Sequence, residues 1–595
     1  MSLFHSVVLA VLASGWGAHA WPSPAAREVY ARTTAGWVRG MQRTAEDRST
    51  YASFRGVPYA KQPLGMLRFK ELEPLTPWSN VYDALEDGPV CTQTDVLYGK
   101  LMQDQGMSEA CIHANIHVPY DSLPTKNYRP VRALQPPYTS ALERDEEVEP
   151  AKGLPILVFI HGGGFAFGSG NADVYGPEYL VSRGVIVITF NYRLNVFGFL
   201  SLNTTDIPGN AGLRDMVTLL RWVQANARYF GGDPDDVTIG GQSAGGVAAH
   251  ILTLSKATEG LFKRAILMSG VATTNFFSPT PAFAQLISKQ FLDILRITST
   301  NPEEIHQQLI EMPVDNIIDA NAILLEQFGL STFMPTVETV LPGVTTVLDD
   351  YPEVLIAKGR GKNIPLLVGY TDAECEVFRR RFLELDIIQK IQDNPTLVAT
   401  QKLLFSTPPD AVMDLVNKID EEYFNKNITL DNFIKFCTDS YFEYPALDVV
   451  EKRARGAAAP VFLYRFTYES ERSVIQEANG IKHKKAGHVE DMTYIFKTNS
   501  ALGSYVSIPP QTCDDHMKQW MTKLFINFIT KGQPVPKEEE NNTKPELSLW
   551  PPVAARHIVF QNIEKPGEYH PTGLSQRQRN EIEFFNSLVN PIQVK

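Results

Sequence analysis

The stretch "DDVTIGGQSAGGVAAHIL", residues 235–252, passes from a short β-branched run to a small-residue helical run through a single serine. Gly241-Gln242-Ser243-Ala244-Gly245 is a G-x-S-x-G array with a strand pattern before it and a helix pattern after it. That is the context of a nucleophile elbow. The serine sits on a strained strand-to-helix turn, where side chains at the flanking positions would strike neighbouring backbone. The helix opening there aims its first amides at developing negative charge. The same five residues could be a plain glycine-rich turn. Their placement makes Ser243 the candidate nucleophile.

Working outward, "FIHGGGFAFGSG" (159–170) closes an earlier β run with His161-Gly162-Gly163-Gly164-Phe165. A glycine loop of this type lets backbone approach a substrate carbonyl and turn amides toward it. The N–H groups of Gly163 and Gly164, with that of Ala244, are the candidate oxyanion hole. An acid and then a histidine should follow the serine in the chain. After the run "IPLLVG" (364–369), "YTDAECEVF" (370–378) offers Asp372, Glu374 and Glu376. Farther on, "KHKKAGHVEDMTYIF" (482–496) offers His483 and His488. The residues alone leave the choice of acid and base open.

The rest of the chain fits an α/β fold. Continuous apolar runs at 155–160, 185–192, 237–241, 264–270, 364–369 and 460–466 suit strands buried on both faces. Residues 210–230 carry Leu213, Met216, Val217, Leu220 and Val223 at helical spacing, as a crossover helix would. Such alternation reads as a parallel sheet covered by helices. From about 280 to 355 and 380 to 450 the pattern turns helical, an expected elaboration over one end of the sheet. Residues 121–153, proline-rich and carrying "ERDEEVEPAK", read as an exposed, flexible loop. No internal repeat is visible.

Composition narrows the function further. With 44% apolar and 21% charged residues the chain is globular, and its net charge of −12 argues against nucleic acid or an anionic membrane as partner. "MSLFHSVVLAVLASGWGAHA" reads as a secretory signal (1–20) ending in Ala18-His19-Ala20, which leaves 21–595 as one mature domain. The segment is too short for a membrane span, and no later one is long enough. The expected location is extracellular. Sequons at Asn203, Asn427 and Asn541 suit glycosylation in that compartment. Of the five cysteines, Cys91 and Cys111 are the expected bridge, both lying in one turn-rich stretch; Cys375, Cys437 and Cys513 stay unassigned. No metal and no organic cofactor is implied, because elbow and glycine loop supply the electrophilic help themselves.

These motifs together resemble the type-B carboxylesterases, the group that includes the cholinesterases. The matching stretches are "FRGVPYAKQPLGMLRF" (54–69), "HGGGF" (161–165), "NYRLNVFGFLS" (191–201), "GNAGLRDM" (209–216), "GGDPDDVTIGGQSAGG" (231–246) and "LVGYTDAE" (367–374). The likeness runs over roughly residues 27–587 and implies the α/β-hydrolase fold. It also implies an acid five residues after the strand-end glycine, Glu374 counting from Gly369. It implies a base followed three residues later by an acid, which His488 has in Asp491.

Within the family the chain is similar to moth and butterfly juvenile hormone esterases, through "GMSEACIHANIHVP" (106–119), "NAGLRDMVTLLRWVQ" (210–224), "TVETVLPGVTT" (336–346), "AECEVFRRRF" (373–382) and "GHVEDMTYIF" (487–496). What this implies is hydrolysis of the methyl ester of a long apolar hormone through an acyl-enzyme on Ser243. The partner is then a small apolar ester, with Phe165, Phe167, Phe333 and Met334 as candidate pocket walls or, equally, plain core. Four positions depart from the pattern. Met216 and Ala110 replace the family's Gln and Asp, as in this branch, while Gly246 replaces the branch's Ala and Lys485 a Gly before the histidine. No Trp lies between Cys91 and Cys111, which argues against a cholinesterase. The alternatives are a general carboxylesterase for odorant, pheromone or xenobiotic esters and an esterase-like adhesion protein without activity.

Overall fold

Each apolar run read above is a strand, and the strands order themselves so that the motif-bearing loops meet. The computed structural model describes residues 27–94, 106–126, 153–498, 508–536 and 549–588, apart from 278, 329–331, 457, 481–482 and 556. The expected signal segment 1–20, Asn541 and most of the expected 121–153 loop lie outside the described residues.

The chain enters through an antiparallel meander, β1 (Glu28–Thr33), β2 (Gly36–Thr44) and β3 (Thr50–Pro58), with the short β4 (Tyr82–Asp83) beside β2. The strands β5 (Val90–Cys91) and β6 (Met107–Ser108) form a separate two-stranded ribbon, and β7 (His113–Pro119) pairs antiparallel with β3. Then come β8 (Leu154–Ile160), β9 (Ile186–Phe190), β10 (Gly232–Gln242), β11 (Arg264–Met268), β12 (Leu366–Thr371) and β13 (Val461–Phe466). The chain closes with β14 (Val559–Ile563) and β15 (Pro571–Gly573). The large sheet runs β1-β2-β3-β7-β9-β8-β10-β11-β12-β13-β14-β15. All pairs from β9 to β14 are parallel.

From β8 the chain first steps to β9 on one side, then crosses back to β10 on the other. Ligand sites of open α/β sheets lie at such a switch point, beyond the carboxyl ends of the strands. Here that point receives the glycine loop after β8 and the serine after β10. The register puts Ile160 opposite Gly241, so the two loops leave the sheet side by side.

Helix Ala211–Asn226 confirms the crossover pattern, burying Leu213, Met216, Val217, Leu220 and Val223. Met216, at the family's Gln position, is core. Two buried ion pairs anchor this region. Asp215 accepts from Arg193 Nε at 2.9 Å and Nη2 at 2.6 Å, and Arg214 pairs with Glu338, whose other oxygen takes the Val347 and Leu348 amides. Buried pairs survive only when the remaining valences are also satisfied, as these carboxylates are.

The helical segments 379–456 build a core of their own around Phe382, Phe424, Phe433 and Phe436, joined by Phe585 of the C-terminal helix Gln576–Leu588. This is the expected elaboration over the sheet. Cys91 and Cys111 are bridged with Cα atoms 4.9 Å apart, and a second bridge joins Cys375 to Cys437. Cys513 is free and exposed.

Candidate active site

Ser243 stands between β10 and helix Ala244–Leu254 with φ 58° and ψ −126°, a conformation L-residues rarely adopt. Two glycines make it affordable. A Cβ on Gly241 would lie 2.2 Å from the Gly245 carbonyl oxygen, and one on Gly245 would lie 2.0 Å from that of Ile160. The Ser243 amide donates to the Met268 carbonyl at 2.8 Å, which ties the elbow to β11. Gly246 follows the same logic: a Cβ there would sit 2.8 Å from the Gly270 oxygen. An alanine here, as the family likeness leads one to expect, would need the segment after β11 to shift slightly.

The glycine loop folds directly onto the elbow. The Gly162 Cβ position is 3.0 Å from Ser243 Cβ, so only glycine fits. Gly163 has φ +109°, and a Cβ on it would lie 2.0 Å from the Phe167 carbonyl oxygen. That tight turn leaves the amides of Gly163, Gly164 and Ala244 without a backbone acceptor among the described residues. His161 supports the loop from beneath. It stacks on Tyr192 with ring centroids 4.3 Å apart, and burial pushes its pKa down to about 4, so it stays neutral. Gly163→Ala is expected to lower kcat by about 10²-fold or more together with a lower melting temperature, because the added Cβ meets the Phe167 carbonyl, checked by steady-state kinetics beside a thermal melt.

The acid and base come together through a short parallel ladder between two distant loops. The Ala373 amide donates to the Ala486 carbonyl at 3.0 Å, and the His488 amide to the Glu374 carbonyl at 3.2 Å. The Ala486 amide reaches the Asp372 carboxylate at 3.1 Å. This register places Glu374 Oε2 2.5 Å from His488 Nδ1, with both side chains buried. Glu374 Oε1 takes the Thr371 amide at 2.7 Å.

Of the three acids in "YTDAECEVF", Glu374 alone meets the imidazole. Asp372 faces Ala486, Arg465 and Lys485, and Glu376 pairs with Arg379. Lys485 is exposed, and so the departure from the family's glycine stays outside the site. His483 is half-buried rather than exposed as its lysine-rich context suggests, with its ring over Gly487.

Because a carboxylate only accepts, the Nδ1 proton lies toward Glu374 and Nε2 keeps its lone pair. In this structure that lone pair receives the side-chain amide of Gln242, at 3.0 Å. No hydrogen bond joins it to Ser243 Oγ among the described residues. Catalytic contacts of this kind often tighten only around substrate. The imidazole is flanked by Phe442 (centroids 4.8 Å apart) and Phe378 (5.7 Å). Asp491, one turn on, accepts from Tyr464 Oη at 2.7 Å; burial, with Glu374 adding to it, pushes its pKa up to about 6.

Gln242, Phe378 and Phe442 escaped the sequence reading. Gln242 had one available signal, its place beside the serine. Phe442 lies in a helical pattern where aromatics read as core, and Phe378 closes the acidic stretch 370–378. Of the proposed pocket walls, Phe165 packs against Phe199 and Phe277, and Phe333 against Phe291, both buried with Met334 in the main core. Phe167 closes the turn over Gly163. Asn203 and Asn427 are exposed, as glycan acceptors must be.

The arrangement has known counterparts. The model of the carboxylesterase family matches residues 26–583. The juvenile hormone esterase of Heliothis virescens is 54% identical over 587 residues, 98% of this chain and 99% of that one. The juvenile hormone esterase of Tribolium castaneum is 30% identical over 86% of this chain and 84% of its own. The crystal structure of juvenile hormone esterase from Manduca sexta, with OTFP covalently attached, superposes with a TM-score of 0.86. It is 56% identical and covers 94% of this chain and 99% of that one. A serine on a strained elbow, a facing glycine loop and a buried Glu–His pair thus sit in a sheet shared with esterases over nearly its whole length. The chain belongs to the carboxylesterase family and is a carboxylic-ester hydrolase.

Proposed function

We propose that this is a secreted serine esterase that hydrolyses the methyl ester of juvenile hormone through an acyl-enzyme on Ser243. The observation that carries the chemistry is the 2.5 Å contact of Glu374 with His488 beside the strained Ser243. As ester seats, the Gln242 amide yields Nε2 to the serine hydroxyl. Ser243 Oγ attacks the ester carbon while its proton passes to His488 Nε2. Glu374 holds the ring and stabilises the imidazolium that forms. The oxygen that becomes anionic takes the amides of Gly163, Gly164 and Ala244. Collapse breaks the bond to methoxide, which leaves as methanol with the proton from His488. Water then attacks the acyl-enzyme with His488 as base, releasing the free acid and restoring Ser243.

The substrate rests on the relatives that are juvenile hormone esterases. Export rests on the signal-like residues 1–20, two disulfides and exposed sequons at Asn203 and Asn427. Among the described residues no helix is long and apolar enough to cross a membrane. The test compares kcat/KM on juvenile hormone with that on short naphthyl and p-nitrophenyl esters. A higher value on the hormone, chiefly through a lower KM, is expected. Parity, or preference for the short esters, would make the chain a general carboxylesterase instead.

A further inference from the structure

Behind the acid stands a covalent tie. Cys375, the residue after Glu374, is bonded to Cys437 across 62 residues of sequence, with Cα atoms 6.0 Å apart. The Cys375 amide also donates to Thr438 Oγ1 at 3.2 Å. The peptide that follows Glu374 is therefore fastened twice to the last turn of helix Leu430–Thr438. That helix continues into the turn Asp439–Glu443, whose Phe442 ring lies against His488. One element thus grips the loop of the acid and backs the ring of the base.

The position of this tie in the fold gives it a specific task. Glu374 leaves β12 at the end of the sheet, whereas Cys375, Val377 and Phe378 already belong to the separate core of the helical segments. The acid lies on the seam between two packing units. Among the described residues its side chain has two anchors, the Thr371 amide and His488 itself. A seam held by side-chain packing alone can slide by fractions of an ångström. Misplacement of a catalytic group by about 1 Å costs on the order of 10²-fold in rate. The disulfide limits that freedom by fastening Cys375, one residue from the carboxylate, into the helical unit that also carries Phe442. Both cysteines are buried, and so neither is placed to meet a substrate or a soluble thiol.

We infer that the Cys375–Cys437 disulfide is a positioning device for Glu374, holding its carboxylate in register with His488 Nδ1. This rests on the triad reading given above. The cysteines take no part in bond making or breaking.

The test is a double-mutant cycle on the full chain. The variant Cys375→Ala/Cys437→Ala is expected to lose about tenfold or more in kcat, with KM within about twofold of the parent. In a Glu374→Gln background the same pair of changes should cost less than about twofold, because the residue they position is already gone. Equal losses in both backgrounds would mean general structural damage and overturn the inference, as would an unchanged kcat in the first. Should the double variant not be recovered folded, Thr438→Val removes only the acceptor of the Cys375 amide. It should lose about threefold in kcat in the parent and almost nothing in Glu374→Gln; additive losses there would equally overturn the inference. Parental kcat in Glu374→Gln alone would instead overturn the triad reading, and this proposal with it.

Discussion

Ser243→Ala is expected to lower kcat for ester hydrolysis by about 10⁴-fold or more while leaving the fold intact. The change deletes one hydroxyl oxygen and nothing else. Alanine carries the same Cβ as serine, so the strain of φ 58° is neither added nor relieved. The Ser243 amide keeps its bond to Met268, and the glycine contacts that shape the elbow do not involve Oγ. What is lost is the attacking atom. The amides of Gly163, Gly164 and Ala244 remain, and donors of this kind leave a residual rate over water. Steady-state kinetics beside a thermal melt check this, with covalent labelling by a phosphonate ester as a second readout. A variant that keeps its turnover would sink the acyl-enzyme mechanism, whatever the substrate.

The second large effect is expected at His488, and the informative form pairs it with His483. His488→Ala should abolish turnover, since among the described residues no other group within hydrogen-bond reach of Glu374 can pass a proton. It should also destabilise the protein, unlike Ser243→Ala. The substitution opens a void between Phe378 and Phe442 and takes away the charge-assisted partner of a fully buried carboxylate. A lower melting temperature is therefore expected together with the loss of activity. His483→Ala should leave kcat within about twofold, because its half-buried ring covers Gly487 without reaching the reacting groups. Comparable losses from both changes would mean that the loop 483–488, not the His488 imidazole, is what catalysis needs.

Legibility differs sharply along the chain. The strands β8 to β13 were readable because both their faces are buried, which leaves an unbroken apolar run in each. β1, "EVYART", alternates exposed and buried residues and is held by β2, so its own sequence carries little signal. β15 is exposed at all three residues, and only its pairing with β14 makes it a strand. Such ladders depend on a partner, and a short polar run does not reveal one.

The chemistry followed the same division. By itself the sequence determined which groups are available and in what chain order: a serine in a glycine-flanked turn, a glycine loop before it, acids and then histidines after it. Those are local properties, written in residue type and spacing. The family likeness already pointed to Glu374 and His488, and tertiary structure brought the two to 2.5 Å while turning Asp372 and Glu376 to other partners. It also seated Gln242 on Nε2, joined Cys375 to Cys437, and set Gly246 against the Gly270 carbonyl. Each is a contact of a few ångströms between segments separated by 24 to 246 residues. Hydrogen bonds and disulfides act over such distances only in defined directions. The geometry is therefore set by sheet register and loop pairing, which no single stretch of the chain contains.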